Sequence, residues 1–290
     1  MVHMTSAPAS ASPTERKLAF LGTGSMNGAV LRGIIASGHN PEAVNATVRS
    51  DARAQALRAD TGVNVLVASE NPEANKDAVA GADIVFLGVK PVGIQALCDE
   101  IRDSLSPQAV VVSVAAAITI DMMAEHLNPG QPIVRSMPNT PLMVGAGAVG
   151  LSAGDTVTTE ALAEVVQLLS GSGIVHVVPE SQQNAVSAIS GSGPAYAFYL
   201  VEAMAKAGVE LGLDPALAMD LARATVSGAG KMLADPQADP AAMRRAVTSP
   251  NGTTERAIAT FDAEGLPQIM AHATAAAAAR AAQISSELAG

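Results

Sequence analysis

The chain has 290 residues, of which 49% are hydrophobic and 2% aromatic, and its formal net charge is −10. This length and apolar content suit one large domain or two ordinary ones, with cores built from aliphatic side chains. The acidic balance argues against a nucleic-acid surface or an anionic-membrane surface, although it leaves room for a local basic pocket.

The N-terminus, the cysteine and the histidines exclude several classes of protein. Residues 1–16 are rich in Ala, Ser, Pro and Thr and lack the apolar core of a signal peptide, so they predict a flexible tail. Cys98 is alone, which excludes a disulfide framework and favours a buried, inert thiol on a helix. The histidines have no metal-ligand spacing, and no apolar run is long enough to span a bilayer. We therefore expect a cytoplasmic protein with no metal site, no membrane partner and no nucleic-acid partner.

Short apolar runs alternate with helical patterns in the first part of the chain. Predicted helices cover 25–37 and 52–60, and predicted strands cover 17–22, 45–50, 63–67, 83–89, 109–114, 132–137, 146–152 and 173–178. Most of these strands lack the alternation of a half-exposed strand, so we expect them to be buried on both faces. Strands that alternate with helices predict an α/β fold with a doubly wound parallel sheet over residues 17–180.

The pattern changes after Pro179, where strand signals give way to helices separated by turn residues. The predicted helices cover 194–211, 215–234, 240–248, 253–264 and 266–288. Residues 181–290 therefore predict an all-α second domain. Its helices are rich in alanine and unusually apolar, which favours a homodimer interlocked through this half of the chain.

The segment AFLGTGSMNGAVLRG joins the first strand to the first helix. Gly22 permits a tight turn and Gly24 lets a pyrophosphate approach the helix N-terminus, as in dinucleotide-binding folds. The third position of the fingerprint holds Asn27, so we expect the close helix–strand contact to shift by a residue. After the second strand, Arg49 and Ser50 suit the 2′-phosphate of NADP, with an ordinary surface arginine as the alternative.

Further small and polar residues follow the later strands. Lys90 precedes Pro91 at the carboxyl end of the fourth strand, where ligands bind in open α/β sheets, so Lys90 is expected to face the cofactor. Ala115 and Ala116 follow the fifth strand and leave room for a nicotinamide ring close to the backbone. Asn139, in the segment RSMPNTP after the sixth strand, is expected to cap a turn with its side chain.

In the helical half, the segment TSPNGTTERAI places a turn before a helix. Thr253 and Thr254 lie where the helix begins, and Glu255 lies in its first turn. Free N–H groups and the helix dipole form an anion site at that point, beside two hydroxyls. Taken alone, the segment fits a plain N-cap. Beside a cofactor domain, it predicts a pocket for a small carboxylate substrate.

The segment SGSGPAYAF (190–198) puts small residues at the head of a long helix, which fits either a domain hinge or a close approach to a ligand or second chain. Together with GTGSM, GVKP, VSVAAA, RSMPNTP and VTSPNGTTERAI, in this order and spacing, it resembles the pyrroline-5-carboxylate reductase family. The resemblance covers nearly the whole chain from Lys17 and places SGSGPAYAF in the active-site cleft near a dimer interface.

The resemblance implies a Rossmann domain followed by a helical dimerisation domain. It implies NADP(H), with NAD(H) as the alternative, and a homodimer, five of which can form a decamer. The implied activity is reduction of 1-pyrroline-5-carboxylate to L-proline, the last step of proline biosynthesis, by hydride transfer to a cyclic imine.

The resemblance also implies roles for individual residues. Implied cofactor contacts fall on Leu21, Gly22, Thr23, Gly24, Ser25, Met26, Ser50, Asn75, Gly88, Val89, Lys90, Pro91, Val114, Ala115 and Ala116. Arg49, inferred above from its place after the second strand, joins them as a predicted cofactor contact. Substrate contacts fall on Glu180, Ser249, Gly252, Thr253 and Thr254. Thr254 is the implied catalytic residue, because its hydroxyl approaches the ring nitrogen. The chain departs from the family at Asn27, Ala117, Asn184 and Ala246, where a small residue, Gly, Asp and Asn are more usual.

Two other functions fit parts of the sequence. A β-hydroxyacid dehydrogenase shares this layout but needs a lysine near the start of the first long interdomain helix, where this chain has none before Lys206. A non-catalytic NADP-binding scaffold or redox sensor would keep the glycine loop and the dimer but leave TSPNGTT without a purpose. The candidate site offers hydroxyls and N–H groups with no evident His or Cys, so catalysis is expected to rest on orientation.

Overall fold

The computed structural model describes residues 15–289, so the predicted tail lies outside the described residues apart from Glu15 and Arg16. The described residues form two compact units. The sheet unit contains the residues up to Gly191 together with those from Ala278 onward, and the helical unit contains Ser192–Ala277. This division falls after the predicted boundary at residue 180, because residues 181–191 pack on the sheet.

An eight-stranded sheet forms the centre of the sheet unit, in the order β3-β2-β1-β4-β5-β6-β7-β8. The strands are β1 (Leu18–Leu21), β2 (Val44–Val48), β3 (Asn64–Val67), β4 (Ile84–Leu87), β5 (Val110–Ser113), β6 (Ile133–Pro138), β7 (Gly147–Ala153) and β8 (Gly173–Val177). Every predicted strand is confirmed, with ends shifted by a few residues.

Helices cover the sheet and make up the helical unit. In the sheet unit they are α1 (Ser25–Ala36), α2 (Asp51–Thr61), α3 (Ala74–Val79), α4 (Ile94–Ile101), α5 (Ile120–Ala124), α6 (Thr159–Ser170) and α7 (Gln183–Val186). Then follow α8 (Gly193–Glu210), α9 (Pro215–Met232), α10 (Pro240–Ala246), α11 (Thr253–Ala263) and α12 (Leu266–Ala289). The five helices predicted for the second half are confirmed. The sequence predictions lack α3, α5, α6 and α7 and give no bounds for α4; of these, α3, α5 and α7 are too short to show a helical period.

Within residues 15–289, neighbouring strands run parallel except at β6 and β7, which are antiparallel. The predicted doubly wound parallel sheet is confirmed, with this one antiparallel pair as a departure. Residues 139–146 connect the two strands, and a parallel crossover needs about a dozen residues or more. The Rossmann-like arrangement predicted for the first domain is otherwise confirmed.

Two apolar clusters lie on the two faces of the sheet. Phe20 and Phe86 stack with their ring centroids 4.5 Å apart in the first cluster. The second cluster contains Leu87 and Cys98, and Leu288 from the last turn of α12 packs against it. Cys98 lies on α4 and is fully buried, which raises the pKa of its thiol to about 12 and confirms the predicted inert thiol.

The chain leaves the sheet unit at the carboxyl edge of the parallel strands. After β8, residues 180–191 run back along β7 and end in a π-helical turn, Ser187–Gly191. Asn139, just beyond β6, donates from Nδ2 to the Ser190 carbonyl (3.1 Å) and accepts from the Ala148 N–H (2.9 Å). The predicted cap by Asn139 is wrong, because its amide joins two other segments and makes no cap hydrogen bond to the turn that it starts.

In the helical unit, α8 packs closely against α9. A Cβ atom added at Gly208 would lie 3.0 Å from the Ala218 Cβ. Many large apolar side chains stay exposed on this unit in the single chain, among them Phe198, Tyr199, Leu211, Met232 and Ile269. Over the described part of the chain, no helix combines the length and apolar character that crossing a membrane requires.

Candidate functional site

The β1–α1 loop forms an open N-terminus for α1. Gly22 has a φ of +67°, and a Cβ atom at this position would lie 2.5 Å from Val89 Cγ1, so both conformation and space require glycine. Gly24 precedes the helix, whose first turn contains no acidic residue and receives no side-chain cap from the described residues. The N–H groups of this turn can therefore bind an anion such as a pyrophosphate.

Asn27 explains how the chain manages without the third glycine of the fingerprint. Its buried side chain donates from Nδ2 to the carbonyls of Leu21 (3.1 Å) and Phe86 (3.3 Å), which joins the ends of β1 and β4. The close approach is made instead by Gly88, where a Cβ atom would lie 2.3 Å from the Asn27 Cβ. The small residue that this packing needs is therefore the residue directly after β4 and not one on the helix.

A hydrogen-bonded chain supports the glycine loop from behind. Thr47 Oγ1 accepts from the Gly22 N–H (3.1 Å) and donates to Asn75 Oδ1 (2.8 Å). The Asn75 Nδ2 group donates to the Glu100 carboxylate (3.0 and 3.2 Å). Asn75 is therefore linked to the glycine loop through Thr47. Thr47 was not among the predicted site residues; the available signal was a polar residue at a buried position of β2.

A groove of about 250 Å³ lies beside the start of α1 and is lined by Thr23, Gly24, Ser25, Gly28, Arg32, Val48, Arg53, Ala56, Leu57 and Met143. Arg49 and Ser50 are exposed at the end of β2, next to this groove in sequence but outside its lining. Arg32 is paired with Asp60. Arg53, in the first turn of α2, has no ion pair among residues 15–289 and was not predicted as a contact.

The loops after β4 and β5 lie at the same edge as the glycine loop, because Leu21, Leu87 and Ser113 are register partners. Val89 approaches Gly22, and Lys90 is exposed before the short turn that Pro91 begins. After β5, Val114 and Ala115 are buried while Ala116 is exposed. The sheet unit thus brings together the predicted cofactor residues of the loops after β1, β4 and β5.

Glu180 lies on the sheet unit and is held by two donors. Its Oε1 atom accepts from the Ile120 N–H (2.9 Å) and from Arg135 Nη1 (3.1 Å). Arg135 is a buried residue of β6 and was absent from the sequence predictions. An arginine within an apolar strand was the available signal, because buried charges occur almost only where they are paired.

The predicted substrate loop lies on the helical unit. Gly252 is the residue before α11, and its N–H donates to the Ser249 carbonyl (3.0 Å). Helix α11 begins at Thr253, and neither the Thr253 nor the Thr254 hydroxyl makes a hydrogen bond within the described range. The Glu255 carboxylate accepts from the Asn251 N–H (2.8 Å). The threonines do not cap the helix, so its first N–H groups and both hydroxyls can bind a ligand.

Known proteins match both the sheet unit and the helical unit. The family model "Pyrroline-5-carboxylate reductase dimerisation" matches residues 180–284, and the model "NADP oxidoreductase coenzyme F420-dependent" matches residues 17–117. The chain is 38% identical to the pyrroline-5-carboxylate reductase of Pseudomonas aeruginosa over 94% of this chain and 98% of that protein. It belongs to the pyrroline-5-carboxylate reductase family.

Other family members agree. The pyrroline-5-carboxylate reductase of Corynebacterium melassecola is 41% identical over 92% of this chain and 98% of its own length. A solved pyrroline-5-carboxylate reductase from Coxiella burnetii has a TM-score of 0.85 and 34% identity, covering 94% of this chain and 98% of that chain. The Plasmodium falciparum pyrroline carboxylate reductase with NADP bound, at 24% identity and a TM-score of 0.79, shares the fold.

The structure shows the local environment of three of the four residues at which the chain departs from the family pattern. Asn27, where the resemblance implies a small residue, is accommodated by the lack of a side chain at Gly88. Ala117, where the resemblance implies glycine, has a φ of +66°, a conformation that L-residues avoid. Ala246 ends α10 and is exposed. Nothing in the structure explains Asn184, whose Oδ1 atom is buried without a hydrogen-bond partner in the described region.

Proposed function

We propose that this protein reduces 1-pyrroline-5-carboxylate to L-proline with NADPH as the hydride donor. The observation that carries the proposal is the near full-length match to pyrroline-5-carboxylate reductases, 98% of the relative's length in two bacterial cases. The open N-termini of α1 and α11 support it, because each exposes N–H groups that suit an anionic ligand.

The residues of the sheet unit fit a dinucleotide. Glycine is required at Gly22, the first turn of α1 is uncapped, and Ala116 is exposed between buried neighbours. When bound, the nicotinamide supplies the hydride. Arg49 and Arg53 are cations near the end of β2, which favours the 2′-phosphate of NADP(H). NAD(H) is the alternative, and rates measured with both reduced cofactors decide between them.

The substrate is a five-membered cyclic imine that carries a carboxylate. In the proposed mechanism, the N–H groups at the start of α11 hold the carboxylate. The imine arrives protonated on nitrogen, so its carbon accepts the hydride and the electron pair of the C=N bond becomes the lone pair of a neutral secondary amine. The Thr254 hydroxyl hydrogen-bonds to this nitrogen and orients the ring. The chain needs no strong acid for this step, because orientation lowers the barrier.

A Thr254→Ala variant tests the role of the hydroxyl. Loss of a hydrogen bond to a charged group costs ~1.5–3 kcal/mol, so we expect kcat/KM for the imine to fall about 10- to 100-fold. The dissociation constant for NADPH should stay unchanged, because Thr254 lies outside the sheet unit. The kcat/KM is measured by following NADPH oxidation by absorbance, with and without 1-pyrroline-5-carboxylate. The dissociation constant for NADPH is measured by fluorescence titration.

Thr260→Ala is the matched control, because Thr260 lies on the same helix and its hydroxyl donates only to the Arg256 carbonyl (3.0 Å). This variant should keep wild-type kinetics. Equal losses of imine turnover and NADPH affinity in Thr254→Ala would contradict the assigned role. A wild-type protein that binds NADPH tightly but never turns over the imine would instead be a nucleotide-binding scaffold or sensor.

The assembly and location of the protein are part of the proposal. The dimerisation family model covers residues 180–284, and the helical unit exposes large apolar side chains, so we propose a homodimer formed through this unit. A decamer of five dimers is the larger assembly proposed, and mass measurement in solution distinguishes the two. Cell fractionation tests the proposed cytoplasmic location.

A further inference from the structure

Arg135 is a buried cation whose partner is Glu180. The Arg135 side chain is 7% exposed and the Glu180 side chain 30% exposed, and Nη1 lies 3.1 Å from Oε1. Arg135 lies in the middle of β6, where it is the register partner of Ser113, the last residue of β5. Leaving a buried arginine without its partner strongly destabilises the folded protein, so we expect this ion pair to stay formed.

The same Glu180 oxygen accepts from the Ile120 N–H (2.9 Å), the first residue of α5. One carboxylate oxygen is therefore shared by a buried arginine and the backbone at the far end of the loop that follows β5. Because both donors bind Oε1, this one oxygen fixes the position of the carboxylate against the start of α5.

The loop between Ser113 and Ile120 is held at both ends. At its start, the Ala115 N–H donates to Ser113 Oγ (3.3 Å), and at its end the Ile120 N–H donates to Glu180. Between these points Ala117 adopts φ +66°, and Ala116 is the residue that reaches the surface. Strained backbone of this kind persists only where its surroundings hold it in place.

We propose that Glu180 is a positioning residue, which Arg135 holds so that it fixes the loop containing Ala115 and Ala116 in the conformation that hydride transfer requires. The inference rests on the proposed function, because it assigns this loop to the nicotinamide. It replaces the expected direct contact of Glu180 with substrate by an action through the cofactor loop. Arg135 and Glu180 then act as one unit.

Kinetic constants separate a positioning role from substrate binding. We expect Glu180→Gln and Arg135→Met each to lower kcat about tenfold, because small displacements of reacting groups are costly. The KM for the imine should stay unchanged, and the deuterium isotope effect from 4-deuterated NADPH should rise as hydride transfer becomes limiting. The double variant should be no slower than either single variant. Arg135→Lys should restore part of the lost kcat.

Arg16→Met is the control, because Arg16 and Glu164 form a comparable half-buried pair (2.6 Å) before β1, away from the carboxyl edge. It should leave kcat and the isotope effect unchanged. A tenfold rise in imine KM at constant kcat for Glu180→Gln would overturn the proposal and restore a substrate contact. Additive losses in the double variant would overturn it as well.

Hydrogen exchange tests the hydrogen bond from the Ile120 N–H to Glu180 without any need for turnover. Glu180→Ala should make the Ile120 amide exchange at least about tenfold faster, because its acceptor is gone, whereas Arg16→Met should not. Unchanged exchange at Ile120 in Glu180→Ala would overturn the proposal. If the wild type fails to reduce the imine, the proposed function fails, and this measurement still decides whether Glu180 holds the loop.

Discussion

Ala117 lies at a position where the backbone conformation favours glycine. Its φ of +66° places a buried alanine in the left-handed region. This conformation costs an L-residue about 1–2 kcal/mol, a cost that glycine avoids. The larger unfolded-state entropy of glycine offsets part of that advantage. We expect Ala117→Gly to raise the free energy of unfolding by ~0.5–1 kcal/mol, measured by urea denaturation at fixed protein concentration.

Ala116→Gly is the matched comparison, because Ala116 is the neighbouring residue and its φ is not positive. It should lower the free energy of unfolding by about 0.5–1 kcal/mol, since glycine then brings only its entropy cost. If both variants changed stability in the same direction and to the same extent, strain at Ala117 would not be the cause.

The contact between helix α1 and the end of strand β4 depends on the lack of a side chain at Gly88. A Cβ atom there would lie 2.3 Å from the Asn27 Cβ. Gly88→Ala should therefore displace the first turn of α1, lower the free energy of unfolding by ~1–3 kcal/mol and weaken NADPH binding. Thermal unfolding and fluorescence titration measure the two effects.

Gly93→Ala is the control for this substitution, because its Cβ atom would meet Val89 Cγ2 at an ordinary 3.5 Å. It should change the free energy of unfolding by no more than about 0.5 kcal/mol. Full NADPH affinity in Gly88→Ala would show that the glycine loop tolerates movement of α1.

The elements were predictable to different degrees for physical reasons. Strands such as β4 and β5 are buried on both faces and lie in apolar runs, so their sequence identifies them. The antiparallel direction of β7 could not be predicted from its own residues, because it depends on the short connection that precedes the strand. Gly22 could be found from its motif, whereas Arg135 and Thr47 act through partners distant in sequence, which a pattern of neighbours does not reveal.

At the scale of the whole molecule, the exposed apolar side chains of the helical unit predict how the dimer can be broken. Phe198 on α8 is 63% exposed in the single chain. Phe198→Glu should weaken dimerisation by ~2 kcal/mol or more if it lies in the buried centre of the interface. Sedimentation velocity measures the change. Lys206→Glu introduces the same side chain on the same helix and should stay dimeric. An unchanged mass for Phe198→Glu would place the interface elsewhere.

Helix α12 begins in the helical unit and ends in the sheet unit, where Leu288 packs against the second apolar cluster. The helical unit is therefore an insertion with two covalent attachments, at residues 191–192 and 277–278. A protease nick at the first attachment leaves two fragments that still adhere through the last turns of α12. Release of the helical unit therefore requires a second cut, at residues 277–278, where the chain returns to the sheet unit.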